Sequence, residues 1–432
     1  MSVRLSDKDL TLPNPRFGGK GAPNPPKIMI KKINPNPKSE IRIRNPQEYR
    51  PSSIVGPYYY EHMTMSSNSV PIIDISPLVR LDHQIVDNNE SFDRRHHLLQ
   101  DEQLRDVAQQ ISHAVETVGF FAVTHHGVDP GIVHDAWVES KNFFDLDPNV
   151  KSSVPMTNDY PYGYENYESL GIKRSASSTT AAAAAATTDS KETFSIGPQN
   201  STKSGMPSRK FPPDAPDTFS VALTNYFNVM EHLARILFRG FALALQLEDV
   251  NWFVREGVFD DGHQCALRIL NYPSIKYCRV DDEKVHIRAG GHTDYGAMTI
   301  LKSGGPGLQL NLSPKNGDNN SSWFDVPHLS DAFIINLGDL MQRWTNDRWM
   351  STLHRVIAVP DVADADDENA DDGVFESARR QSIAFFVNVN GRATILPFDS
   401  CVDDEHPSRY DAIMASDYLI RRHAQSMGTP MK

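Results

Sequence analysis

The stretch Gly290-Gly291-His292-Thr293-Asp294-Tyr295-Gly296 sets an imidazole and a carboxylate two residues apart. In an extended chain such residues project to the same side, so His292 and Asp294 can address one point. A second histidine, His354, stands in Trp349-Met350-Ser351-Thr352-Leu353-His354-Arg355-Val356, a run that reads as a strand able to pair near the first. Two histidines and one carboxylate on one face form a facial triad that holds non-haem Fe(II) and leaves positions open for O₂ and a co-substrate. The third feature is Arg379-Arg380-Gln381-Ser382-Ile383-Ala384-Phe385-Phe386. Period two puts Arg380, Ser382 and Ala384 on one face of an otherwise apolar strand, pointing a guanidinium and a hydroxyl inward. A buried cation requires an anion. With Asp294 engaged by a metal, the natural partner is the carboxylate of a small organic acid, which arginine holds in bidentate fashion. The pattern describes a keto acid that chelates a metal at one end and is clamped at the other.

Regular elements must position these groups. Leu104, Val107, Ala108, Ile111, Val115 and Val118 recur at helical spacing, and Gly119 stops that helix ahead of a strand, Phe120 to Thr124. A longer helix spans roughly Ser220 to Gln246, with Leu223, Phe227, Met230, Leu233, Leu237, Phe241 and Ala244 on one face. Its Glu231, Arg235 and Arg239 read as a solvated polar face. Past Asp260 the chain turns to short β-forming runs: Ala266 to Tyr272, Ala297 to Leu301, Gly307 to Leu312, Ala332 to Leu337, Thr352 to Val359 and Ser382 to Val389. Many short strands at such spacing predict a sandwich or barrel. A last helix is expected around Arg409 to His423.

Composition narrows the function classes. The 432 residues carry 43 Lys plus Arg against 55 Asp plus Glu, a net charge of −12 with no long basic stripe, which sets nucleic acid aside as a partner. The three cysteines, Cys265, Cys278 and Cys401, form no Cys-x-x-Cys pair, so neither a disulfide framework nor a thiolate zinc site is expected, and they read as ordinary buried residues. The implied compartment is reducing, and we expect a cytoplasmic, soluble protein. The best membrane candidate, Ile236 to Leu247, is short and contains Arg239. Residues 1–65 form a basic Pro/Asn-rich leader that reads as disordered; a targeting segment or a start at Met63 or Met65 are the alternatives. Ser175 to Ser190 is a low-complexity insertion and Asp361 to Asp372 an acidic loop.

His292-Thr293-Asp294, His354 and Arg380-x-Ser382, in this order, resemble the iron and 2-oxoglutarate motifs of the Fe(II)/2-oxoglutarate-dependent dioxygenases, in the branch that includes isopenicillin N synthase. Val70-Pro71-Ile72-Ile73-Asp74, the Gly119 to Gly127 turn, Lys191-Glu192-Thr193-Phe194-Ser195-Ile196-Gly197, Leu270-Asn271-Tyr272-Pro273 and Asn336-Leu337-Gly338-Asp339 resemble further signature segments, so the likeness runs from Val70 to Ser426. It implies a mixed α and β chain with a double-stranded β-helix (jelly-roll) core and flanking helices. It also implies that His292, Asp294 and His354 bind Fe(II), and that Arg380 and Ser382, with Tyr272, bind the distal carboxylate of 2-oxoglutarate. O₂ would be the second co-substrate, and no catalytic residue is expected beyond the metal site. The implied reaction is oxidation of a small molecule, by default hydroxylation, with release of succinate and CO₂. Expected regions are the leader to residue 65, an N-terminal region over 66–218, the long helix and linker over 219–261, the catalytic core over 262–400 and a C-terminal helix and tail over 401–432.

Two rival functions follow from the same residues. An oxidase like isopenicillin N synthase would use Arg380 on a substrate carboxylate and release no succinate. A silent ligand-binding homologue would keep the fold alone, a reading that the complete triad and Arg380 oppose. Among other residues, His125 and His126 read as turn residues and His96 and His97 as solvated. Tyr162, Tyr164 and Tyr167 read either as the substrate mouth or as an exposed aromatic loop, and Tyr295 as a group able to face substrate. An amino acid, nucleobase or polyketide-like metabolite, used by a monomer in secondary metabolism, is the expected substrate class.

Overall fold

The protein's structure, a computed structural model, describes residues 70–88, 98, 100–166, 190–199, 201–255, 257–260, 262–278, 285–312, 322–360 and 374–426. The leader 1–65, residues 175–189 of the low-complexity segment, the acidic loop 361–372, Tyr167, His96 and His97 lie outside them.

Helices α1 (Ser76–Asn88), α2 (Glu102–Thr117), α3 (Pro130–Phe144) and α4 (Asp217–Ala244) pack on one another and on one face of a large sheet. Helix α2 follows its sequence pattern closely. Asp101 caps it by accepting from the N–H groups of Gln103 and Leu104, and Leu104, Val107, Ala108, Ile111, Ala114 and Val115 are buried. It ends because Gly119 turns the chain at φ +73°; a Cβ there would stand 2.3 Å from Thr352 Oγ1 and 2.6 Å from Met350 O.

The strands run β1 (Ile72–Asp74), β2 (Phe120–Thr124), β3 (Gly163–Asn166), β4 (Glu192–Ile196), β5 (Ala266–Tyr272), β6 (Ile275–Cys278), β7 (Ile287–His292) and β8 (Met298–Ser303). There follow β9 (Leu308–Leu312), β10 (Ser322–Asp325), β11 (Phe333–Leu337), helix α5 (Asp339–Trp344), β12 (His354–Ile357), β13 (Val374–Ser377) and β14 (Arg380–Val387). Strands β15 (Thr394–Ile395) and β16 (Ile413–Met414) and helix α6 (Ala415–Ser426) close the described chain. An eight-stranded sheet in the order β1-β2-β11-β8-β14-β5-β4-β3 faces a four-stranded sheet in the order β10-β9-β12-β7. Period-two alternation gives the large sheet two apolar faces. Leu267, Ile269, Ile383 and Phe385 join the core under the helices, whereas Leu270, Tyr272 and Ala384 join Ala289, Leu308, Leu310 and Val356 of the smaller sheet in a second core between the sheets. This is the expected jelly-roll architecture.

Three expectations need correcting. The final helix begins at Ala415, not Arg409, because the Arg409 N–H donates to Asn346 Oδ1 and its guanidinium pairs with Asp347, tying that segment down before the helix. Tyr162 and Tyr164 form neither a mouth nor an exposed loop. Tyr162 is buried against Gly197, and Tyr164 packs beside Phe143 and donates its hydroxyl to Glu192. Arg239 is not solvated: it is buried, pairs with Asp82 of α1 and donates through Nε to Asn251 Oδ1. Amphipathic spacing placed it on the polar face of α4, but α1 covers that face and brings the counter-charge. No helix among the described residues is long and apolar enough to cross a membrane.

Burial alone would raise the Asp82 carboxyl, but hydrogen bonding to His232 and the Arg239 charge hold it below the ordinary carboxylate range. A depressed folded-state pKa contributes stability above about pH 3.9 that is lost as pH falls through the folded value. Asp82→Asn strands the Arg239 charge and is expected to cost about 3 kcal/mol or more in urea unfolding at pH 7. That deficit should narrow only below about pH 3.9; a variant within about 0.5 kcal/mol of wild type at pH 7 would show the pair to be dispensable.

Candidate active site

Strand pairing brings the metal-ligating candidates together. In the antiparallel β7–β12 pair His354 stands directly opposite His292, and their rings lie 4.3 Å apart between centroids. Asp294 sits two residues past the end of β7 rather than within a strand, yet its Oδ1 is 4.0 Å from the Nε2 of each histidine. The three ligand atoms lie within 4.8 Å of one another.

Each imidazole is oriented by its own backbone neighbourhood. His292 Nδ1 is 2.8 Å from Gly290 O and His354 Nδ1 3.0 Å from Thr352 O. A carbonyl only accepts, so Nδ1 carries the proton and the Nε2 lone pair turns towards Asp294. Phe120 packs edge-on against the His354 ring at 5.4 Å. Asp294 is held from behind: Oδ2 accepts from Thr299 Oγ1 at 2.5 Å and from Asn336 Nδ2 at 2.6 Å, which leaves Oδ1 facing the histidines. Burial opposes its charge, but the positive charge of the two imidazoles when they are protonated, together with these two donors, lowers the carboxyl below its usual range. Two neutral nitrogens and one carboxylate oxygen converging from one side are the donor set of a facial Fe(II) site.

Arg380 opens β14, in the middle of the large sheet and opposite Tyr272 of β5. The guanidinium carbon lies 5.3 Å from the Tyr272 ring centroid, Nε donates to Pro306 O at 3.0 Å and Nη2 to Ser303 Oγ at 2.8 Å. Its Nη1 is buried with no partner, and among the described residues no carboxylate pairs with this cation. Burial accordingly pushes the guanidinium below its ordinary pKa, with Tyr272 working slightly the other way. Arg380, Ser382 and Tyr272 are 6%, 2% and 2% exposed, so only a ligand entering the space between the sheets can reach them. The orphaned Nη1 is what a carboxylate would satisfy, and the residues fit 2-oxoglutarate as they fit iron.

The neighbouring Arg379 points to the opposite face and is fully engaged. It pairs with Asp145 and donates to Asn271 Oδ1, while Asn271 Nδ2, Lys151 Nζ and the Tyr164 hydroxyl all donate to Glu192. The Lys191 and Leu270 segments singled out in the sequence meet in this network.

Several contributors escaped the sequence reading. Thr299 gave no signal, and Asn336 and Asp339 were noticed only as parts of a segment. The Asp339 N–H donates to the Asp294 carbonyl at 2.8 Å. Its carboxylate takes Ser351 Oγ and the Tyr418 hydroxyl and faces Arg422 Nη1 at 3.3 Å; burial outweighs these partners and raises its pKa. Arg422, on α6, also donates to Thr293 Oγ1 and stacks on Tyr295, gripping both residues that flank Asp294. Tyr295 therefore lies under an arginine, half-buried.

The fold and site together define a double-stranded β-helix oxygenase. Residues 70–217 match the family model described as non-haem dioxygenase in morphine synthesis N-terminal, and residues 264–389 that of the 2OG-Fe(II) oxygenase superfamily. The chain is 30% identical over 265 residues to the 2-oxoglutarate-dependent dioxygenase traH of Penicillium crustosum, covering 60% of this chain and 75% of the relative. It is 26% identical to homoarginine-6-hydroxylase 2-ODD-233 of Oryza sativa subsp. japonica, over 82% of this chain and 96% of that one. Among solved structures, a full-length Neurospora crassa protein in complex with alpha-KG and thymine superposes with a TM-score of 0.63 at 26% identity, covering 83% of this chain and 97% of that one. The chain belongs to the 2-oxoglutarate- and Fe(II)-dependent oxygenase family. It is a dioxygenase whose cofactor and co-substrates are Fe(II), 2-oxoglutarate and O₂.

Asn336→Ala removes one of the two donors that aim Asp294. It is expected to weaken metal affinity about 10- to 100-fold, read by Co(II) titration of the apo-protein. An affinity within about twofold of wild type would mean that Thr299 alone suffices to hold the carboxylate.

Proposed function

We propose that His292, Asp294 and His354 bind the Fe(II), and that Arg380 and Ser382, against the Tyr272 ring, clamp the distal carboxylate of 2-oxoglutarate. The observation that carries this reading is the buried, unpartnered Nη1 of Arg380 on the inward face of β14, in the space that the two histidines also border. Bound iron and 2-oxoglutarate supply the activation of O₂, coupled to oxidative decarboxylation to succinate and CO₂. The chain's own work is to orient and to exclude water. Arg380 and Ser382 fix one end of the keto acid, the Nδ1 hydrogen bonds keep both Nε2 lone pairs on the metal side, and Thr299 and Asn336 keep Asp294 ionised and aimed.

Hydroxylation of a small organic molecule is the reaction we assign. Relatives named for homoarginine hydroxylation and a neighbour solved with thymine support a small, polar, nitrogen-containing substrate such as an amino acid or nucleobase. We place the chain in the isopenicillin N synthase-like branch and in secondary metabolism, as a cytoplasmic monomer that engages neither nucleic acid nor membrane. Residues 262–400 form the catalytic core in this reading, since they hold all six proposed ligands.

Anaerobic titration of the apo-protein with Fe(II) and 2-oxoglutarate should develop a visible metal-to-ligand charge-transfer band. Arg380→Ala should raise the 2-oxoglutarate Kd about 100-fold, because one partner of a buried charge pair is worth about 2–5 kcal/mol and tenfold is 1.4 kcal/mol. An unchanged Kd would refute the clamp, and substrate oxidation without stoichiometric succinate would favour the oxidase.

A further inference from the structure

A second arginine faces the same cavity. Along β5, Leu267 and Ile269 pack under the helices while Leu270 and Tyr272 face the space between the sheets, so Arg268, in step with the latter pair, faces inward too. It lies four residues from Tyr272, roughly 13 Å along the strand, at the end of the cavity away from Arg380. Register places that end beside the iron ligands. Arg268 pairs with Ala384, the next inward residue of β14 is Phe386, and Phe386 is opposite Thr299, the hydroxyl donor to Asp294.

The cavity opens here. Arg268, Phe386 and His292 are half-exposed although they face inward, whereas Leu270, Tyr272, Ala384 and Arg380 are buried. Arg268 is also held in place: Nε donates to Ser195 Oγ at 2.9 Å, and the guanidinium carbon lies 5.5 Å from the Phe386 ring centroid. Among the described residues no acidic side chain pairs with its terminal nitrogens. On the same inward face of β4, Thr193 Oγ1 is fully buried and without a partner.

We infer that Arg268 is the substrate-anchoring residue and that the substrate class is a small organic acid, whose carboxylate the Arg268 fork receives with the hydroxyls of Ser195 and Thr193 nearby. This rests on the reading in which Arg380 holds 2-oxoglutarate, because that assignment leaves Arg268 as the cation available to a second anion. A guanidinium braced through Nε presents its remaining donors in a planar fork that fits a carboxylate and discriminates against a neutral amide. The anchor lies at the mouth, beside the metal, so an acid held there keeps its remaining carbons within reach of the iron centre. Among the substrate classes considered, this selects amino acids and other carboxylates over neutral nucleobases and polyketides.

The test is a panel of small carboxylic acids, amino acids included, each beside its primary carboxamide. Binding is read twice: by perturbation of the Fe(II)–2-oxoglutarate charge-transfer band, and by thermal shift of the metal-free protein. Acids should bind and their amides should not. Arg268→Ala should weaken acid binding about 100-fold while leaving the 2-oxoglutarate Kd unchanged, and Arg268→Lys should recover part of the loss. Amides that bind as well as acids, acid binding that survives Arg268→Ala, or a panel without an acid ligand would each overturn the assignment. A wild-type protein that forms no band would defeat the co-substrate reading instead, and the thermal shifts would still decide the role of Arg268.

Discussion

The alternation of side chains along β14 is the constraint on which the site depends. Arg379 and Arg380 are adjacent, so the pleat sends them to opposite faces of the large sheet, and their fates differ completely. Arg379 enters a network with Asp145, Asn271 and, through Asn271, Glu192 and Lys151. Arg380 enters the space between the sheets, where Ser303, Pro306 and Tyr272 meet part of its bonding capacity and one nitrogen is left over. A one-residue slip of β14 would exchange the two, putting an unmatched cation under the helices and a spent one in the cavity. The network on the outer face therefore does more than join strands β3, β4, β5 and β14. It favours the register that turns Arg380 into the space between the sheets, because in that register the outer charges are satisfied.

A similar division of labour surrounds the three proposed metal ligands. The histidines need little beyond their own sheet, since antiparallel pairing sets them opposite each other and carbonyls two residues back fix their rings. Asp294 lies beyond the strand end, where no ladder constrains it, and its aim is assembled from distant parts of the chain. Thr299 and Asn336 hold the carboxylate, the Asp339 N–H holds the backbone, and Arg422 of the last helix holds the residues on either side. Close approach is part of this. A Cβ on Gly338 would meet Gly296 O at 2.3 Å, so only glycine lets the start of α5 reach the Asp294 loop.

How much of this could be read from the sequence depended on whether the determining contact was local. The strand bearing Ala266 to Tyr272, the helix ending at Gly119 and the inward triplet Arg380, Ser382 and Ala384 were legible because periodicities of 2 and 3.6 are properties of neighbouring residues. The histidine, aspartate and arginine positions were legible because their spacing carries a chemical meaning. What failed was decided by tertiary partners. Arg239 looked solvated until α1 delivered Asp82, and Tyr162 read as an aromatic of the substrate mouth or of an exposed loop until Gly197 left room for its ring. Arg268 gave no signal at all, because an arginine in a strand reads as a surface residue unless the register of three neighbouring strands is known.

These contacts set a field inside the molecule opposite to the one outside. The chain as a whole carries a net charge of −12, which repels anions, but surface charge is screened within about 8 Å at physiological ionic strength. Among the described residues, Arg380 and Arg268 stand at the two ends of the space between the sheets, with Asp294 4.0 Å from two imidazoles. In the proposed reading, recognition of anions belongs to the cavity, and it has a cost in stability. A buried guanidinium with an unmet donor is less stable than an apolar side chain of similar volume would be, and the deficit is made good only when a carboxylate arrives. In the proposed reading, ligand binding and folding stability are therefore linked through Arg380: the buried nitrogen that lacks a protein partner is the one that the keto acid would satisfy.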